Sequence, residues 1–336
     1  MLDILGQLPP ETDAAVLVVQ HIPPHTESGL HRVLAPATRL RVRQAEHGIP
    51  LESGTVYTAV ANHHLLVEGD TVMVTPGPRE NHWRPSIDAL FRSAAYAYRE
   101  RTVGVILSGT LNDGTSGLWR IKRFGGVALA QDRSEAAFPD MIVSADKYVE
   151  LDAELPAKTL GQHIAKLIST MPNSTPPHTS PEEEDFTRFE IDVAIGKNAL
   201  KRGVLDYGTY SPLTCPECHG ALTEYAEGKI RRYRCHTGHA HSSESLLAGI
   251  DENIERSTWE VMRGMEESQL LLNHLADSLA EQDGQSPVVA AYRARAAELA
   301  DRSQRIKEMI FAREKVKPLN SVTDARVGNR PQPTAS

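Results

Sequence analysis

Cysteine is scarce, with three residues in 336. So few thiols argue against a disulfide framework. No apolar run approaches the roughly 20 residues that a membrane-spanning helix needs. No charged-then-apolar leader opens the chain, so the expectation is a cytoplasmic protein and not an integral membrane one. An excess of basic charge is also missing. The formal net charge is −8 and the sequence pI about 6.0, which speaks against nucleic acid as a partner. Hydrophobic residues still make up 40% of the chain, enough for a globular core, and the length leaves room for two domains.

What is present begins with two strand ends. Thr102-Val103-Gly104-Val105-Ile106-Leu107 reads as a buried strand. The turn after it, Ser108-Gly109-Thr110-Leu111-Asn112, throws out Asp113 ahead of Gly114, Thr115 and a helical pattern. A second strand, Val16-Leu17-Val18-Val19-Gln20, ends in His21 before Ile22-Pro23-Pro24. In an open parallel sheet, ligands and catalysis gather beyond the carboxyl ends of the strands. An imidazole there can take a proton from a serine hydroxyl and return it to a leaving alcohol. An aspartate can accept from that ring and fix its tautomer. Asp113 also suits a purely local role, capping the next helix from within Asn112-Asp113-Gly114.

The rest of the chain divides by composition. Met1–Leu8 reads as the end of a helix stopped by Pro9 and Pro10. Short segments in residues 40–75, punctuated by Gly48, Gly54, Asn62 and Gly69-Asp70, read as an antiparallel insertion. Ser86 is a helix-cap candidate, and Ile87, Leu90, Phe91, Ala94 and Tyr98 follow at helical spacing. Residues 157–170 make a closing helix. Residues 171–185, rich in proline, small polar residues and acid, form a linker. Residues 186–245 hold a bridging segment and a compact Cys/His knuckle. Residues 246–315 are an antiparallel helical hairpin. Its apolar positions include Leu247, Ile254, Val261 and Leu275 on the first helix, and Val289, Ala296 and Ile310 on the second. Residues 316–336 read as a disordered tail. No internal repeat is visible.

Three motifs in order carry a resemblance: Gln20-His21-Ile22-Pro23-Pro24, Asn81-His82-Trp83-Arg84-Pro85-Ser86-Ile87-Asp88, and Gly104–Gly114. Residues 1 to about 170 resemble the CheB-type protein-glutamate methylesterases of bacterial chemotaxis. The resemblance implies a doubly wound, mostly parallel α/β sheet. It also implies hydrolysis of glutamate methyl esters on chemoreceptors by a Ser-His-Asp mechanism with no catalytic cofactor. It puts the histidine on His21 and the aspartate on Asp113. The family's nucleophile lies in a Gly-Ala-Ser-x-Gly-Gly turn after the first strand, and no such motif occurs here. Ser86, Ser108 and Ser116 each have a local explanation. The expectation is therefore a start codon placed too late or a lost 5′ end, with the first strand missing. If the loss is real, the alternative is an inactive scaffold that keeps the fold. Where the family often carries Met-Gly, this chain has Thr110-Leu111. No acidic phosphoacceptor pocket of a receiver domain is visible.

The knuckle holds all three cysteines, Cys215-Pro216-Glu217-Cys218 and, after sixteen residues, Cys235-His236-Thr237-Gly238-His239-Ala240-His241. That spacing suits a tetrahedral metal site of Cys215, Cys218, Cys235 and His239, with His236 and His241 as alternative fourth ligands. Four protein ligands leave no open position, so the expected ion is a structural zinc. The knuckle and hairpin resemble modules that follow single-domain CheB-like esterases. The exposed hairpin is a candidate for self-association.

Overall fold

The computed structural model describes residues 1–170, 179–281 and 286–313. It divides into two compact units, Met1–Gly249 and Ile250–Ser336.

The first unit opens with α1 (Leu2–Leu5), β1 (Ala15–Val18), α2 (Leu30–Leu34), β2 (Arg41–Gln44) and β3 (Thr55–Thr58). The strands form a parallel sheet in the order β1-β3-β2. A hairpin follows, β4 (His64–Glu68) and β5 (Thr71–Thr75), paired antiparallel. Then come α3 (Ile87–Tyr98), β6 (Val103–Ile106), α4 (Thr115–Arg123), β7 (Val127–Gln131), α5 (Asp140–Tyr148), β8 (Ala153–Leu155) and α6 (Ala157–Thr170). Strands β6-β7-β8 form a second parallel sheet.

Two expectations change here. The insertion at 40–75 is antiparallel only in β4 and β5. Strands β2 and β3 join β1 in parallel, because Thr55–Thr58 is buried along its whole length, as a central parallel strand is. The doubly wound sheet is also not continuous. Strands β1 and β6 each bond to one neighbour and end their sheets as edges. One core nevertheless runs beneath both sheets, with Val18, Val56, Leu129 and Leu160 buried beside Val103 and Val105.

The expected linker ends early. Residues 171–178 lie outside the described residues, but Glu182–Asp185 already belong to α7 (Pro181–Ala194). Ser180 and Glu183 cap that helix reciprocally, with Pro181 in its first turn. The knuckle is a four-stranded antiparallel sheet in the order β12-β11-β10-β9, built from β9 (Thr209–Thr214), β10 (Ala221–Glu227), β11 (Ile230–Cys235) and β12 (Ala240–Ser242). It is not a separate body. It shares the first unit with the α/β elements, through a seam of buried charge.

Residues on β11 alternate between faces, so Arg232 and Arg234 point inward together while Arg231 stays exposed. Arg234 Nη2 meets Glu80 at 3.0 Å and Glu190 at 2.7 Å. Arg232 meets Glu80 at 3.2 Å and Asp88 at 3.1 Å. Arg92 meets Glu80 and Glu190, each at 3.1 Å. Arg120 pairs with Glu227. Four guanidiniums thus face four carboxylates out of water, and each ion is compensated by its neighbours.

Helix α8 (Ser243–Ala280) leads from the first unit into the second. There α9 (Pro287–Arg313) runs antiparallel to it, as the pairs Glu266–Ser303, Asp277–Arg293 and Trp259–Phe311 require. The expected turn falls partly on residues 282–285, and the expected tail on 316–336, all outside the described residues. On α8 the buried seam is shifted one residue from the expected Val261 and Leu275, while on α9 it holds the expected positions. Met262, Ala276, Val289, Ala296 and Ile310 are buried, while Ile254, Val261 and Leu275 stay exposed, because two helices alone cover only one side of each other.

Candidate active site and Cys/His cluster

The loops after β1 and β6 meet. His21 Nε2 lies 2.7 Å from Asp113 Oδ2, across 92 residues of sequence. A carboxylate can only accept, so Nε2 carries the proton and Nδ1 is the basic nitrogen. Nδ1 makes no hydrogen bond among the described residues. The indole of Trp83 stacks on the imidazole at 4.5 Å with the planes 5° apart, which fixes the plane of the ring.

Asp113 is 2% exposed and surrounded by donors. Its Oδ1 accepts from Ser86 Oγ at 2.8 Å, Asn81 Nδ2 at 3.1 Å and the Asp88 amide at 3.3 Å. Its Oδ2 accepts from the Ile87 amide at 2.7 Å. The two amides open α3. Asp113 therefore caps α3, not the helix that follows it; α4 has Gly114 at its cap position and no side-chain cap. A helix N-terminus favours a negative charge. Burial pushes the Asp113 carboxyl up, but the bond and charge of His21, with the Ile87 and Asn81 donors, hold it below its ordinary value. Asp88, close by, is pushed up to about 7 by its own burial and by the charge of Asp113.

The three serines are accounted for locally, though Ser86 differs from its expected role. It sits at the cap position of α3 but makes no cap bond, giving its hydroxyl to Asp113 instead. Ser108 Oγ accepts from the Phe138 amide, and Ser116 Oγ donates to Glu227. None bonds to His21. The turn before Asp113 is tight. A Cβ on Gly109 would lie 2.0 Å from Met141 Sδ, and Leu111 holds a left-handed φ of 61°, a conformation that glycine adopts without strain.

Sequence reading missed three residues here: Asn81, Trp83 and His64. The first two lie inside the quoted Asn81–Asp88 motif, so the signal was present but not the contact. His64 is fully buried, and burial pushes its pKa down. Its Nε2 faces the Pro78 carbonyl at 2.8 Å and its Nδ1 accepts from the Ser86 amide at 3.3 Å, which holds the chain entering α3.

The second cluster forms at one end of the knuckle sheet. Cys215, Cys218, Cys235 and His239 offer four ligand atoms within 4.8 Å of one another, and together could hold a metal ion. Donors about 2.0–2.3 Å from a tetrahedral ion lie about 3.3–3.8 Å apart. Cys218 and Cys235 sulfurs are 3.6 Å apart, and His239 Nδ1 is 3.8 Å from Cys215 and 3.7 Å from Cys235. Three of the six donor pairs therefore already stand at tetrahedral spacing, and the thiol and imidazole donors suit zinc. His241 approaches Cys215 at 3.6 Å but belongs to a tilted pair with the ring of His82, and the ring of His236 lies over Gly220.

Residues 1–164 match the family model described as CheB methylesterase. A protein-glutamate methylesterase/protein-glutamine glutaminase of Leptospira interrogans (serovar copenhageni) is 37% identical over 175 residues, 48% of this chain and 91% of the relative. One of Methanosarcina mazei is 35% identical over 173 residues, 49% of this chain and 47% of the relative. One of Anaeromyxobacter dehalogenans is 38% identical over 164 residues, with 49% and 48% covered. This chain spans about half the length of these last two. The crystal structure of the Thermotoga maritima CheB methylesterase catalytic domain aligns at 31% identity with a TM-score of 0.46, covering 49% of this chain and 90% of that one.

Proposed function

The chain belongs to the CheB methylesterase family, a family of carboxylic ester hydrolases, and from that premise we propose that it hydrolyses glutamate methyl esters on a methylated chemoreceptor. The observation that carries the reading is the 2.7 Å bond from His21 to Asp113, with Nδ1 left basic. A serine hydroxyl attacks the ester carbonyl while Nδ1 takes its proton. Asp113 holds the ring and stabilises the imidazolium. The imidazolium returns the proton to the departing methoxy group, so methanol leaves and an acyl-serine remains. Water then attacks by the same route, giving the glutamate carboxylate and regenerating the serine. The relatives' second name, glutaminase, asks for no new group, since the same imidazolium can protonate a departing amide nitrogen, which leaves as ammonia.

The reading needs a serine opposite Nδ1. The unpaired edges of β1 and β6 are where a strand and turn bearing it would bond. The test is methanol release from methylated receptor by the chain extended upstream with such a strand and its Gly-Ala-Ser-x-Gly-Gly turn. Release at the uncatalysed rate would overturn the proposal. It would favour the second reading, a scaffold that keeps the esterase fold, which rests on one observation: the Ser86 hydroxyl is turned to Asp113 and not to His21.

The Cys/His donor set supports one zinc per chain, held by Cys215, Cys218, Cys235 and His239. With its ligands closed it supplies folding free energy and no Lewis acid. Elemental analysis should find one equivalent, lost in Cys215→Ser and Cys235→Ser; much less than one in the unsubstituted protein refutes it. Residues 1–170 would then be the catalytic domain, 181–245 its metal-bearing partner and 246–315 a hairpin. Leu270 and Leu271, 62% and 60% exposed, support pairing of that hairpin with a second copy. No helix among the described residues is long and apolar enough to cross a membrane, and a receptor-tail substrate sets the work in the cytoplasm.

A further inference from the structure

One short loop, residues 79–83, touches both members of the His21–Asp113 couple and is gripped from the other side by the knuckle. Arg79 O accepts from the Ala240 amide at 3.1 Å, and the Asn81 amide donates to the Ala240 carbonyl at 2.8 Å. His82 faces Glu217, between Cys215 and Cys218, at 3.0 Å and the Ser245 carbonyl at 2.6 Å. Asn81 and His82 both hold left-handed backbones, φ 50° and 70°, which side-chain-bearing residues keep only where surroundings impose them. Trp83, next in line, is the residue stacked on His21.

Asn81 is the centre of this arrangement. It is 2% exposed, and its amide has all four hydrogen-bonding positions filled. Its carbonyl oxygen accepts from the Ser242 amide at 3.0 Å and from Ser245 Oγ at 2.9 Å. Its two N–H groups go to Asp113 Oδ1 at 3.1 Å and Asp88 Oδ2 at 2.9 Å. The orientation is fixed chemically. A backbone N–H can only donate, so the amide oxygen must face Ser242, and the NH₂ must then face the carboxylates. A flipped amide would set donor against donor on one side and acceptor against acceptor on the other.

We propose that Asn81 is a positioning residue for the His21–Asp113 couple, and that the Cys/His module, through Ser242 and Ser245, sets its orientation. This rests on the reading of that couple as the proton-transfer pair. The module is then part of how the esterase site is tuned. Each donor to Asp113 withdraws charge from the carboxylate and weakens its pull on the His21 Nε2 proton. Loss of the Asn81 donor leaves a more basic carboxylate and a stronger bond to His21. Ser245 touches neither His21 nor Asp113, and among the described residues Asn81 is the one side chain that bonds both the Ser245 hydroxyl and Asp113.

The test is the low-field proton NMR resonance of His21 Nε2–H in the full chain, assigned by its loss in His21→Gln. Asn81→Ala should move it downfield, and Ser245→Ala should move it the same way by less. Ser169→Ala, on the exposed end of α6, should leave it in place. A purely structural role for Ser245 would lower the unfolding temperature without moving the resonance. An unmoved resonance in a cooperatively folded Ser245→Ala protein overturns the proposal, and it decides the matter alone if Asn81→Ala does not fold. A resonance that survives His21→Gln, or is absent from the unsubstituted protein, shows instead that the His21–Asp113 reading is wrong, and the proposal falls with it.

Discussion

Asp113 and Glu80 are both buried carboxylates in the same unit, and Asn81 separates them by one bond network. Their surroundings differ in kind. Glu80 is held by Arg92, Arg232 and Arg234, which hold it well below the ordinary carboxylate range against the upward push of burial. Among the described residues Asp113 has no guanidinium as a hydrogen-bond donor. Its donors are a hydroxyl, a side-chain amide, two backbone amides and one imidazole. A guanidinium never gives up its charge near neutral pH, so a carboxylate wrapped in arginines is neutralised permanently. One held by neutral dipoles keeps its charge available to a partner that gains and loses a proton. The first arrangement joins two pieces of structure, and the second can serve chemistry.

Substitutions should separate the two. The largest effect belongs to His21→Ala in the upstream-extended chain. Methanol release should fall by about 10⁴ or more, as when a triad loses its base, with little change in unfolding. Glu80→Ala should do the reverse. It leaves three buried guanidiniums with chiefly Glu190 and Asp88 to face, one negative charge short, and should destabilise the fold by about 3–5 kcal/mol, read from urea denaturation. Acid should act on the seam in the same direction. Burial raises the Glu227 carboxyl, but Arg120, Arg232 and Arg92 outweigh it and hold the pKa down to about 2, against an ordinary 4.5. The folded pKa is therefore the lower one. The stability contributed by Glu227 is present above pH 4.5 and drains away as the pH falls toward 2. Glu80 adds to this in the same sense. Circular dichroism across that window should show the first unit unfolding, and a flat profile would contradict the charge assignment. Asp113→Asn should cost less, about 1–3 kcal/mol, since its partners are mostly neutral donors, yet leave the extended chain without turnover. The smallest effect marks the baseline. Glu298→Ala removes exposed pairs with Arg295 and Arg302 on α9 and should leave the urea unfolding midpoint where it is.

The parts legible in the sequence are those set by local chemistry. An apolar, β-branched run marks a strand whose end is set by a Ser-Gly-Thr turn before Asp113 and by Pro23-Pro24 after His21, so both residues are legible as strand-end groups. Cysteine spacing is likewise local, and Cys215, Cys218, Cys235 and His239 do come together. Partner choice is not local. Nothing in Arg41–Gln44 says that it lies parallel to Thr55–Thr58. Nothing in Ile230-Arg231-Arg232-Tyr233-Arg234 says that two of its arginines are buried, since an arginine-rich strand looks solvated until acids on α3, α7 and the residue-80 loop are brought to it. Asn81 was hidden for the same reason. Its four partners lie between 7 and 164 residues away.

The charged seam also bears on ancestry. An architecture joined by an apolar interface can be assembled or dismantled through single substitutions, each of modest effect. One joined through Glu80, Arg92, Arg232 and Arg234 passes, at every single step, through an intermediate with an uncompensated ion out of water. Simultaneous exchange of opposite partners for apolar residues of similar volume is the route that avoids it. A relative that keeps the esterase fold without a Cys/His companion should therefore carry uncharged residues at the positions of both Glu80 and Arg92.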